Sequence, residues 1–142
     1  MQDSTIYTLG YAHWSIENVA NRIDDLEAIL VDVRHSPHST KPGFTQTDLQ
    51  ARFGDRYVHL RAFGNVNYKG GPIELAAPEH GLRVVKELPA PPVLMCGCQN
   101  PASCHRAVVA DFLSGHLKVP IEHLRAPSER AQPDLFDDPP DA

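Results

Sequence analysis

A chain of 142 residues is long enough for one hydrophobic core and too short for two. Its apolar fraction of 42% and charged fraction of 22% are those of a globular domain, and it has no apolar run long enough to cross a bilayer, which excludes a helical membrane protein. The formal charge of −5 is concentrated in residues 126–142; residues 1–125 carry twelve bases and thirteen acids, without the broad basic face of a high-affinity nucleic-acid binder.

Ile6-Tyr-Thr-Leu9, ended by Gly10, predicts a first strand. Ser15 then caps a helix on which Ile16, Val19, Ala20, Ile23 and Leu26 recur at three- and four-residue spacing. Ala28 to Val33 is apolar without strict alternation, the pattern of a strand buried on both faces of a parallel sheet. After a Pro/Gly/Ser-rich loop from Arg34 to Gly43 come a short helix around Thr45 to Phe53 and a third strand, Tyr57 to Leu60. Gly64, Gly70, Gly71 and Pro72 mark residues 61–77 as a loop over the sheet. A helix from Pro78 to Leu88 buries Leu82, Val85 and Leu88. Pro92 to Cys96 is the clearest central strand, Ala102 to Leu113 the helix after it, and Ile121 to Leu124 a last strand. These elements predict a single-domain, three-layer α/β fold over residues 1–125, with a mostly parallel sheet and helices on both faces. Residues 126–142, rich in Pro and Asp, are expected to be a disordered acidic tail.

In such sheets ligands bind beyond the carboxyl ends of the strands. The residues found there are Gly10, Tyr11 and His13 after the first strand, Arg34, His35 and Ser36 after the second, and the segment Cys96 to Arg106 after the fourth. With Ser103 as the cap, Cys104, His105 and Arg106 fall in the first turn of a helix, whose field favours an anion and lowers a thiol pKa. Cys104 is therefore the candidate nucleophile, with His105 or His13 moving protons. Arg106 and Arg34 are candidates for clamping an anion together, and Asp32 for orienting Arg34. Cys96, which ends a core strand, is expected chiefly as a small buried hydrophobe.

Two other chemistries use the same residues. Cys96, Cys98, Cys104 and His105 together make a ligand set suited to tetrahedral zinc, although adjacent residues at a helix start are expected to point too far apart for Cys104 and His105 to share one ion. Cys98 and Cys104 are a candidate redox pair. The N-terminal Met1-Gln-Asp-Ser-Thr lacks the features of a secretory signal, so a cytoplasmic location is expected, with free thiols or metal ligands rather than structural disulfides. The sequence names no other cofactor.

The combination resembles a known family, domain of unknown function 488. The resemblance is carried by Tyr7-Thr-Leu-Gly10 with His13 and Ser15, Leu30-Val-Asp32-Val-Arg34 with Pro37 and Ser39, Phe44 and Leu49, Leu60 with Phe63-Gly64, and Leu94-Met-Cys96 followed by Cys104-His105-Arg106. It implies an α/β fold over residues 5–125 and no settled reaction, and it adds Ser39 and Gly64 to Gly10, Tyr11 and His13 as ligand-binding candidates. The chain departs from the family at Cys98, where relatives carry an acidic residue. The layout also looks like rhodanese and cysteine-phosphatase folds, without the five-residue Cys-to-Arg spacing of phosphatases.

In the tail, Gln132-Pro-Asp-Leu135-Phe136 looks like the short peptide by which bacterial replication and repair proteins dock on the DNA sliding clamp. A flexible tether can present two adjacent apolar side chains to a pocket while the glutamine fixes orientation. The resulting expectation is an enzyme, a thiol-dependent transferase or hydrolase, that acts on a nucleotide or nucleic-acid component and is recruited through the clamp. A non-catalytic module that binds an anion or nucleotide and a Cys/His metal-site protein are the alternatives.

Overall fold

In the computed structural model, which describes residues 5–97 and 104–127, the first apolar run is strand β1 (Ile6–Gly10). Ser15 caps helix α1 (Ile16–Leu26) as its type and position require: Oγ accepts from Asn18 N at 3.1 Å, while Val19 and Ile23 face the core. Strand β2 (Ile29–Asp32) is buried throughout, as its continuous apolar run demands. Thr45 caps helix α2 (Gln46–Phe53) through Oγ1, at 3.1 Å from Asp48 N. Strand β3 (Tyr57–His59), helix α3 (Pro78–Lys86) and the fully buried strand β4 (Pro92–Cys96) follow, then helix α4 (His105–Leu117) and strand β5 (Ile121–His123).

The start and end of α4 differ from expectation. The proposed cap, Ser103, lies outside the described residues. Cys104 is itself the N-cap residue, extended at φ −119° and ψ 142°, so only His105 and Arg106 belong to the first turn. At the other end the helix runs on to Leu117, where Lys118 adopts a left-handed conformation (φ 59°) and its N–H reaches Ser114 O at 2.8 Å. Val108 is 39% exposed, whereas Val109 and Leu113 are fully buried.

The sheet order is β3-β2-β4-β1-β5, and all of its pairings are parallel. Alternation along the strands divides the core in two. Leu9, Leu30, Val93 and Met95 meet Val19, Ile23 and Leu49 of α1 and α2 on one face. Ile6, Val31, Leu94 and Cys96 meet Val85, Val109 and Leu113 of α3 and α4 on the other. This is the expected three-layer α/β fold. β1 passes the chain across β4 to β2, and β4 passes it across β1 to β5, so their outgoing loops diverge above the middle of the sheet. Ligand crevices form at such divergences.

Residues 61–77 form a self-bonded excursion. An isolated bridge pairs Asn65 with Leu75, and Asn65 Oδ1 accepts from the N–H groups of Asn67 and Glu74, each at 3.0 Å. Three surface arginines have polar partners: Arg52 with Glu17 at 3.6 Å, Arg56 with Asp24 at 2.7 Å and Arg61 with His35 at 3.2 Å.

Candidate functional site

At the carboxyl rim of the sheet Gly10 pairs with Cys96, and Asp32 with Met95, which brings the ends of β1, β2 and β4 together. Three clusters meet there.

The first is built on Asp32, fully buried at the end of β2. Its Oδ1 accepts from Arg34 N at 3.1 Å and Arg34 Nε at 2.8 Å. Its Oδ2 accepts from Arg34 Nη2 at 2.6 Å and from Tyr57 OH at 2.7 Å. The remaining Arg34 nitrogen, Nη1, donates to Phe44 O at 2.8 Å, His38 O at 3.2 Å and Tyr11 OH at 3.2 Å. Burial works against the Arg34 charge, but the bonds to Asp32 prevail and hold its pKa above the ordinary value. Tyr57 is also raised, by burial and then by its bond to Asp32. Asp32 orients Arg34 as expected. The anion clamp expected of Arg34 with Arg106 is not formed, because the Arg34 fork is spent on closing the loop after β2. Tyr11 stacks on Phe44 at 4.5 Å and completes that closure.

The second cluster is the sulfur–imidazole group. Cys96 is 1% exposed and Cys104 2%, and their Sγ atoms are in contact. Burial of Cys96 was expected; its partner was not. The sulfur facing Cys104 is that of Cys96, while Cys98, the expected redox partner, lies outside the described residues. The two Cα atoms are 7.9 Å apart, wider than the roughly 4.4–6.8 Å that disulfides span. The donor atoms of Cys96, Cys104 and His105 all lie within 4.8 Å of one another. The expectation that neighbours at a helix start cannot share one ion is thereby overturned: Cys104 is extended and His105 helical, so their side chains leave the backbone in directions that converge.

The third element is the set of groups that hold this cluster. His105 Nε2 donates to Val33 O at 2.6 Å, which leaves Nδ1 as the ring's lone-pair nitrogen. Burial pushes the His105 pKa below its ordinary value; the bond to Val33 opposes this and the Arg106 charge reinforces it. Arg106, 1% exposed, points Nη1 at Cys96 Sγ (3.5 Å) and Nε at Thr8 Oγ1 (3.3 Å), and Thr8 Oγ1 meets His123 Nδ1 at 2.6 Å.

The other candidates are placed as follows. Gly10 is buried opposite Cys96, and the Tyr11 hydroxyl borders Gly97. Gly64 lies against the His35 backbone, where a Cβ would come within 2.7 Å of His35 Cα. Ser39 Oγ accepts from Lys41 N at 3.0 Å and shapes the loop after β2. His13 is exposed at the end of the turn that follows β1. Gln132, Leu135 and Phe136 lie outside the described residues. Sequence reasoning missed Thr8, Tyr57 and the Val33 carbonyl. For Thr8 a signal existed, since a hydroxyl inside an otherwise apolar strand needs a buried partner.

Among known families, the one described as domain of unknown function DUF488 matches residues 15–71. The match spans α1 to the loop after β3 and includes Asp32, Arg34, Ser39 and Gly64. Cys96 and the Cys104-His105-Arg106 trio fall beyond it. No curated protein and no solved structure matches the chain. No helix among the described residues is long and apolar enough to cross a membrane.

Proposed function

We propose that the protein is a thiol-dependent enzyme, a hydrolase or transferase, that acts on a nucleotide or nucleic-acid component at the Cys96–Cys104–His105 cluster. The observation that carries this reading is the convergence of two sulfurs and an imidazole within 4.8 Å at the strand ends, beside a buried guanidinium. An α/β core needs no such group for stability, and reactive groups gathered at the carboxyl rim mark a catalytic crevice. His105 keeps Nδ1 available to a proton or an electrophile, and Arg34 with Asp32 holds the neighbouring loop in place.

The substrate class follows from the tail. Gln132, Leu135 and Phe136 resemble a clamp-docking peptide, and tethering to the clamp would set this domain to work on DNA or its components. A module that only binds an anion is less well supported, because the donors of Arg34 are committed within the protein and Arg106 is buried against Cys96 and Thr8.

Turnover by the purified full chain is the test, with nucleotides and with modified or damaged DNA as substrates. Cys104→Ser is expected to lower turnover by at least 100-fold while the variant keeps the folded far-ultraviolet circular-dichroism spectrum. Undiminished turnover in that variant, or ligand-induced stabilisation without product anywhere in the panel, would remove the proposal.

A further inference from the structure

The structure assigns a binding site for a thiophilic divalent ion of the zinc class to Cys96 Sγ, Cys104 Sγ and His105 Nδ1, with a fourth position for water or substrate. This deepens the proposed reaction centre, on which it rests for its location, and makes the two sulfurs ligands rather than attacking groups.

Several observations carry it. The donor set of two thiols and an imidazole selects zinc, cobalt or ferrous iron over magnesium and calcium, which take oxygen ligands. Around a tetrahedral ion with Zn–S near 2.3 Å and Zn–N near 2.0 Å, ligand atoms are spaced about 3.3–3.8 Å apart. Both sulfurs and a ring nitrogen of His105 already lie within 4.8 Å of one another, on the scale of that spacing.

The backbone supports an ion better than a bond between the sulfurs. The Cα atoms of Cys96 and Cys104 are held 7.9 Å apart by a central strand and by the residue that begins a helix. An ion accommodates that separation, and the usual disulfide span does not reach it.

The surroundings of the ligands are those of a metal centre. A ligating histidine characteristically gives its second ring N–H to a carbonyl or carboxylate, which fixes the tautomer and aims the free nitrogen. His105 does so to Val33 O at 2.6 Å. Arg106 supplies a hydrogen bond to Cys96 Sγ at 3.5 Å, as buried metal thiolates commonly receive. Finally, three protein ligands gather among the described residues, the number that catalytic zinc sites use.

The experiment uses the full chain, purified reduced and without chelator, stripped of metal and then titrated with cobalt(II) chloride and with zinc chloride. Expected are one ion per chain, thiolate-to-cobalt charge-transfer absorption in the near ultraviolet, and a higher melting temperature with zinc. Cys96→Ser and Cys104→Ser should each weaken zinc binding by more than tenfold and reduce the charge-transfer band, whereas Cys98→Ala should keep it. Reduced wild-type protein that shows no charge-transfer band overturns the proposal without recourse to any variant. So does a Cys96→Ser/Cys104→Ser double variant that binds zinc as the wild type does. Thiol-dependent turnover in metal-free protein overturns the ion and leaves the enzyme; stoichiometric zinc with no turnover on any substrate does the reverse.

Discussion

Arg34 grips Asp32, two residues before it in the chain, with Nε 2.8 Å from one carboxylate oxygen and Nη2 2.6 Å from the other, both side chains out of solvent. Removing one member of such a pair leaves the other as an uncompensated buried charge, which costs about 3–5 kcal/mol. Asp32→Ala is therefore expected to lower unfolding free energy by that amount in urea denaturation. A loss below about 1 kcal/mol would show that the loop after β2 does not depend on the pair.

Two glycines make a matched test of packing. A Cβ at Gly81 in α3 would come within 2.4 Å of Phe63 ring atoms, whereas at Gly115 in α4 it meets nothing within 4 Å. Gly81→Ala should destabilise by about 1–3 kcal/mol through overpacking. Gly115→Ala should stabilise by about 0.5–1 kcal/mol, because alanine restricts the unfolded chain and favours helix. Thermal or urea unfolding of the two variants checks both signs, and two changes of the same sign would contradict the expectation.

His123 predicts a pH dependence. Burial lowers its pKa, and the Arg106 charge lowers it further against the opposing pull of Asp111. The unfolded chain then binds a proton near pH 6.5 that the folded chain binds only at lower pH. Stability present above about pH 6.5 is thus lost as pH falls through that value toward the folded pKa. Melting temperatures from pH 8 to 5 should fall less steeply in His123→Asn than in wild type; parallel profiles would exclude His123 as a contributor.

The tail prediction is separate from the domain. Leu135→Ala with Phe136→Ala should weaken sliding-clamp binding more than tenfold in a direct binding assay while leaving the melting temperature unchanged. Equal clamp binding by the double variant would dispose of recruitment through this peptide.

Much of the fold was legible in short stretches of chain. The Ser15 and Thr45 caps, the recurrence of Val19 and Ile23, and the apolar runs at 29–32 and 92–96 each act over a few residues, so a local reading recovers them. The parallel sheet with helices on both faces followed from the β-α-β pattern for the same reason, whereas the order β3-β2-β4-β1-β5 did not. The rim of the sheet, and Asp32 with Arg34 on it, could also be named from strand ends alone.

The identity of the partners was not legible. Cys96 and Cys104 are eight residues apart, and the single residue by which α4 starts later than expected makes Cys104 extended and turns its sulfur to Cys96. His105 takes its tautomer from Val33, seventy-two residues earlier, because β2 lies beside β4 in the sheet. Arg34 was recognisable as a buried cation near a site, but only the folded loop shows that Asp32, Tyr11 and Phe44 consume its donors. Caps, periodicity and strand ends are short-range and written in adjacent residues. Which donors converge depends on sheet order and helix register, and those are settled by packing the whole core.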